Sequence, residues 1–143
     1  MACVLVGVDA SDASRRAVDF AAQKALALHD ELVVAHVIPW SPFSFNTPSD
    51  NQERHRRKLE EVKAATEQIV DPLVATAQGA GVQARGVVRH GQPAETLIDI
   101  LKEAQGSHIV VGRTGDSVLK QTIFGSIANR LAQAAPVPVT VVP

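Results

Sequence analysis

Apolar and polar positions alternate along this chain in blocks of two kinds, short runs of mostly β-branched residues and longer stretches with apolar positions every three or four residues. The short runs predict strands over Met1 to Val8, Leu32 to Ile38, Val82 to Arg89, His108 to Val111 and Val137 to Val142. Between them, Ala17, Phe20, Ala21, Lys24, Ala25 and Leu28 recur at helical spacing and predict a helix over Asp12 to Leu28, capped by Ser11 or Asp12. Pro39 to Ser49 reads as a loop. Asp50 with Glu53 forms a capping-box pattern for a long helix through Gln78, ended by Gly79 and Gly81. Pro93 to Ala104 predicts a further helix with proline in its first turn, and Ser126 to Ala135 the last one.

Strands that recur with helices between them need crossover connections, and these are right-handed, so the economical architecture is a parallel sheet between two helical layers. The run Leu32 to Ile38 is too apolar to alternate and is expected to be covered on both faces. One domain over residues 1–143 is expected, with no internal repeat. In such sheets ligands sit beyond the carboxyl ends of strands where the winding reverses, which singles out the loops after the first and fourth strands, Asp9-Ala10-Ser11 and Gly112 to Gly125.

Composition narrows the function classes. With 45% hydrophobic and 20% charged residues and a net charge of −1, the chain has enough apolar surface for a core and no basic excess for a nucleic-acid platform. The one basic run, Arg54-His55-Arg56-Arg57-Lys58, is followed at once by Glu60-Glu61 and reads as a solvated helix face. The single cysteine, Cys3, sits in an apolar run and is expected to be a buried thiol. No stretch has the length of a membrane span and no signal-peptide pattern opens the sequence, so the expected location is the cytoplasm, without membrane insertion. His36, His90 and His108 lack ligand-like spacing, and no metal site is expected.

Candidate chemistry concentrates in Val110-Val111-Gly112-Arg113-Thr114-Gly115, with Gly125-Ser126 following after nine further residues. Gly112 and Gly115 permit backbone N–H groups to turn inward around an anion, and Ser126 at a helix start would add unpaired amides and the favourable end of a helix dipole. A Walker loop is absent, the dinucleotide fingerprint is missing after the first strand, and the acidic cluster of a phospho-receiver domain does not occur. The expected ligand is a phosphate ester, best matched by a nucleotide.

The first loop Val8-Asp9-Ala10-Ser11, the ending Ala35-His36-Val37-Ile38, the turn His90-Gly91-Gln92-Pro93-Ala94 and the G-x2-G-x9-G-S spacing together resemble the universal stress protein family over essentially the full chain. The resemblance implies a five-stranded parallel α/β sandwich, strand order 3-2-1-4-5, usually dimeric, and in the branch with this glycine motif binding of ATP or another adenine nucleotide. Carried onto this sequence, it implies that Asp9 lies near the adenosine and Val37 offers a main-chain contact to adenine. It implies further that Val111 and Gly112 begin the ribose and phosphate wall and that Gly115, Gly125, Ser126 and Ile127 form the phosphate turns. Arg113-Thr114 departs from the family's usual small hydroxyl residue followed by a basic one, leaving Arg113 as either a phosphate clamp or a solvated side chain.

Asp9 also reads as a cap for the first helix, and Ser126 by itself as an ordinary N-cap. Trp40, Phe43 and Phe45, three of the five aromatics, fall in one loop. They would close over a base, pin the loop to the body or line a subunit contact. Pro138 marks the apolar terminal run Val137 to Val142 as an edge strand, and two-fold pairing of that edge gives the expected homodimer. The leading functional expectation is a nucleotide-dependent regulatory dimer with a protein partner still to be identified, the triphosphate carrying Mg²⁺. A slow ATPase is the second, although no motif supplies a metal ligand, a positioned water and a transition-state cation together. A dimeric interaction module that keeps its glycines only for turns is the third.

Overall fold

The computed structural model describes residues 2–40, 48–113 and 120–143. Five strands, β1 (Cys3–Gly7), β2 (Glu31–Pro39), β3 (Ala84–Gly91), β4 (Gly106–Gly112) and β5 (Val139–Val142), form one all-parallel sheet in the order β3-β2-β1-β4-β5. Helices α1 (Asp12–Leu28), α2 (Pro48–Ala65), α3 (Asp71–Gly79), α4 (Pro93–Ala104) and α5 (Lys120–Ala134) make the crossovers. The expected fold class and strand order are those observed.

Alternation along β1 divides the core in two. Val4, Val6 and Val8 pack beneath α1 and α3, whereas Cys3 and Leu5 pack against α4 and α5. β2 carries the same division, with Leu32 and Val34 on one face and Val33 and Ala35 on the other, and all four are fully buried. A strand closed off on both sides has no polar face to show, which is why its sequence reads as one apolar run.

α1 has the expected ends but a different inward stripe. Ala13, Ser14, Ala17, Val18, Ala21, Ala22 and Ala25 are buried, while Phe20 and Leu28 are exposed. Small side chains win the inner face because α1 lies close upon the sheet, as it does at Gly112. A Cβ on Gly112 would stand 2.9 Å from the Ala13 Cβ and 3.0 Å from its carbonyl oxygen. The long helix expected to run from Asp50 to Gln78 begins at Pro48 and is broken by a five-residue π-helical turn, Thr66–Val70. Pro72 explains the break: it has no N–H for a bond to the preceding turn, and the widened turn absorbs the mismatch as the Asp71 N–H bonds to the Thr66 carbonyl. Asp50 therefore lies inside the first turn of α2, and Glu53 pairs with Arg56 at 2.7 Å. Gly81 ends α3 with φ 95°, as its position suggested.

Two boundaries need correction where they touch the candidate site. α5 starts at Lys120, so Gly125 and Ser126 lie inside a helix and Ser126 is not its cap. β5 starts at Val139, after Pro138, whose carbonyl accepts from the Ile109 N–H at 3.1 Å. No described helix is long and apolar enough to cross a membrane.

Candidate functional site

The chain winds from β1 outward to β2 and β3, then returns past β1 to β4 and β5, so the winding reverses between β1 and β4. Their carboxyl ends, Gly7 beside Val111, open onto the loops singled out above. One residue beyond β1 the chain is still held to β2, because the Val8 N–H donates to the Ala35 carbonyl at 2.8 Å. The Val8 carbonyl accepts from Nδ1 of His36 at 2.7 Å, which requires the tautomer protonated there. His36 is thus a clamp between two strand ends.

Asp9 closes the next turn. Its Oδ1 accepts from the Ser11 N–H and from the Ser14 hydroxyl, both at 2.9 Å, while its own N–H donates to Ser14 Oγ at 2.8 Å. Ser11 caps α1 by accepting from the Ser14 N–H at 3.2 Å. Ser14 is 2% exposed and is the only buried polar side chain among the described residues, which makes this ring of bonds a structural necessity. Asp9 is therefore not the cap of α1, which Ser11 supplies; its carboxylate braces that cap through the Ser11 N–H and the Ser14 hydroxyl, at the strand end where a ligand contact was also expected. Ser14 was missed from the sequence, although the D-x-S-x-x-S spacing of Asp9, Ser11 and Ser14 is the signal for such a ring.

Across the crevice, Val111 is buried in the core under α4 and α5, leaving only its main chain for any ligand. Gly112 meets the first turn of α1, so Asp9 and Gly112 are bound to one helix start, Asp9 through Ser14 and Gly112 through Ala13. Arg113 is exposed, and its N–H donates to the Val142 carbonyl at 2.6 Å. That amide extends the sheet and does not join the inward-turned set expected of the glycine loop. Gly115 lies outside the described residues. Val37, half-buried against the α4 side of the core, stands on β2 next to the Asp9 loop.

α5 supplies the remaining candidates from the α4 side of the sheet. Ile127 packs against the core and Leu131 is fully buried there, while Arg130 pairs with Glu95 in the first turn of α4. Glu95 has its carboxyl lowered by a bond to its own backbone and then by Arg130. α4 starts at the carboxyl edge of the sheet, so Ser126, one turn nearer the start of α5 than Arg130, lies toward that same edge. With Ser126 inside a helix, its amide is no longer one of the unpaired donors of a helix start, and its hydroxyl becomes the group to consider. The histidines have separate partners: His36 the Val8 carbonyl, His90 the Glu61 carboxylate at 2.8 Å, and His108 the Ser107 hydroxyl at 3.1 Å. Burial, and then nearby Lys24, lowers the His108 imidazole below its usual value.

A family model described as the universal stress protein family matches residues 2–143. The chain belongs to that family. It is 31% identical to a universal stress protein of Bacillus subtilis, covering 97% of each chain. A Mycobacterium tuberculosis universal stress protein is 30% identical over 98% of this chain, which spans only 47% of that longer relative. Among solved structures, a universal stress protein crystallised in complex with cAMP superposes with a TM-score of 0.71 at 26% identity, over 99% of this chain and 95% of its own.

Proposed function

We propose that this universal stress protein binds an adenine nucleotide, ATP foremost, across the carboxyl ends of β2, β1 and β4, and that occupancy regulates its contacts with a protein partner. The observation that carries the reading is the joint anchoring of Asp9 and Gly112 to the first turn of α1 at the winding reversal. The cAMP complex of the 26% identical relative supports the ligand class. In this reading Val37 and Asp9 serve the adenosine, the main chain of Val111 and Gly112 the ribose, and Gly115, Gly125, Ser126 and Ile127 the phosphates. Arg113, with its amide held by β5, contributes through its exposed guanidinium, and Mg²⁺ accompanies a triphosphate. Regulation requires that the two states of the partner surface differ in nucleotide affinity. A cytoplasmic location goes with this reading, because a protein controlled by adenine nucleotide needs that nucleotide at hand.

Protein purified without added nucleotide is expected to release adenine nucleotide on acid precipitation, and ATP is expected to raise its melting temperature in proportion to occupancy. Gly115→Val is expected to abolish both effects while the fold remains. An empty protein indifferent to ATP, AMP and cAMP would overturn the reading.

The same proposal includes a homodimer through β5. β5 is a sheet edge with Val141 41% exposed, and pairing two such edges buries both apolar rims and their free backbone groups. Sedimentation at micromolar concentration is expected to give twice the chain mass, and Val141→Lys to give the monomer. A wild-type monomer would remove the dimer and leave the nucleotide site standing.

A further inference from the structure

Trp40 follows directly on Pro39, the last residue of β2, and stands 60% exposed at the carboxyl edge of the sheet. It is the only tryptophan of the chain. A single exposed apolar side chain is ordinary on a protein surface, so exposure by itself decides nothing. Position decides more. The His36 clamp and the Val8 to Ala35 bond hold the end of β2 against the start of the Asp9 loop, level with Val37. Trp40 lies three residues further on, ~10 Å along an extended chain. Gly112 lies on the opposite side of β1, because β2 and β4 flank that strand. A ligand whose anionic end rests beyond β4 and whose body crosses β1 brings its other end to β2, the strand that leads into the exposed indole of Trp40.

We propose that Trp40 is the stacking platform for the base of the bound nucleotide. The inference rests on the nucleotide-binding reading above and adds the residue that reads the base. Aromatic side chains hold bases by stacking with little regard to hydrogen-bonding edges, and they do so best at the mouth of a site where one face is solvated. The competing role, a subunit contact, is disfavoured by topology. The exposed β5 edge lies at the far side of the sheet from the β3 edge, and β2, which carries Trp40, is the neighbour of β3.

The test follows ATP binding to the wild-type protein by calorimetry and by tryptophan emission in parallel, with inorganic tripolyphosphate as the baseless probe. Emission is expected to change with the calorimetric midpoint. Trp40→Ala is expected to weaken ATP binding about fivefold to tenfold and leave tripolyphosphate binding unchanged, whereas Trp40→Phe stays within about twofold. Because the side chain is mostly exposed, both variants are expected to melt with the wild type, and Trp40→Phe keeps the test valid if the alanine variant does not. Calorimetric binding without an emission change, or undiminished ATP affinity in Trp40→Ala, overturns the role of Trp40 and leaves nucleotide binding intact. No heat of binding in the wild type overturns the nucleotide reading itself, and the role of Trp40 with it.

Discussion

Asp9 has two jobs whose effects separate on substitution. Its Oδ1 accepts from the nearly buried Ser14 hydroxyl and the Ser11 amide, so Asp9→Ala takes the acceptor from both donors and is expected to cost about 1–3 kcal/mol of stability. Asp9→Asn keeps a side-chain oxygen at the same place and is expected to recover most of that loss in a urea melt. The carboxylate charge disappears in both. If the carboxylate also binds nucleotide, Asp9→Asn folds normally yet binds weakly, and an asparagine variant with full affinity would confine Asp9 to its structural task. Gly112 has the same double character, since its missing Cβ is demanded by the contact with Ala13 whether or not a ligand approaches. At this scale the sequence displayed the residues but not all of their partners. Asp9, Gly112 and Val37 were legible as positions at strand ends. That Ala13 would occupy the near side of Gly112 was not, because the contact joins residues at opposite ends of the chain, whereas the local spacing of Asp9, Ser11 and Ser14 did carry the signal for the Ser14 ring.

At the scale of elements, α5 decides whether the two halves of the glycine motif meet. It is tied down by Leu131 in the core, by Ile127 beside it and by the exposed Arg130 pair with Glu95. Leu131→Ala is expected to cost about 2–5 kcal/mol and to lower nucleotide affinity as well, because it loosens the helix that carries Gly125 and Ser126. A melt and a calorimetric titration on the same sample check both effects. Folding lowers the Glu95 carboxyl, first through the bond to its own backbone and then through Arg130, so these bonds support the fold above the ordinary carboxylate range and are lost as the pH falls through the lowered value. Glu95→Gln is expected to remove that acid-side component. α1 and α4 were legible to the residue, because a serine cap before one and a proline in the first turn of the other punctuate the chain. α5 was not. Lys120 to Phe124 offer no breaker and only Thr122 as a cap type, so Gly125-Ser126 drew the boundary to itself, and a helix that continues through glycine was mistaken for one that starts after it. The π-helical turn was hidden for the opposite reason: Pro72 marks a break, but whether the chain bends, ends or widens there depends on packing against β3. A Cβ on Gly86 would come within 2.3 Å of a Val70 methyl, and this close approach holds the widened turn upon the sheet.

For the whole molecule, Cys3 offers a reporter that stands apart from the candidate site. It lies in the central strand, fully buried, with its sulfur 3.7 Å from the Ala104 carbonyl. Burial pushes the thiol up from its usual value and the neighbouring Glu31 adds to the rise, so the native protein holds little thiolate at neutral pH. Cys3 opens β1 beside a register irregularity with β4, but its side chain is packed in the core with Leu101 and Ile109, so a thiol reagent reaches it only when that packing opens. A ligand that binds only the closed form reduces the open fraction by the factor 1 + [L]/Kd. The labelling rate of Cys3 is therefore expected to fall with rising ATP along the curve set by the calorimetric Kd, and to be indifferent to ATP in Gly115→Val. Labelling that proceeds at the rate of the unfolded chain would show that Cys3 is not shut within the core. Labelling slowed by ATP in Gly115→Val as in the wild type would place the nucleotide elsewhere than the glycine loop.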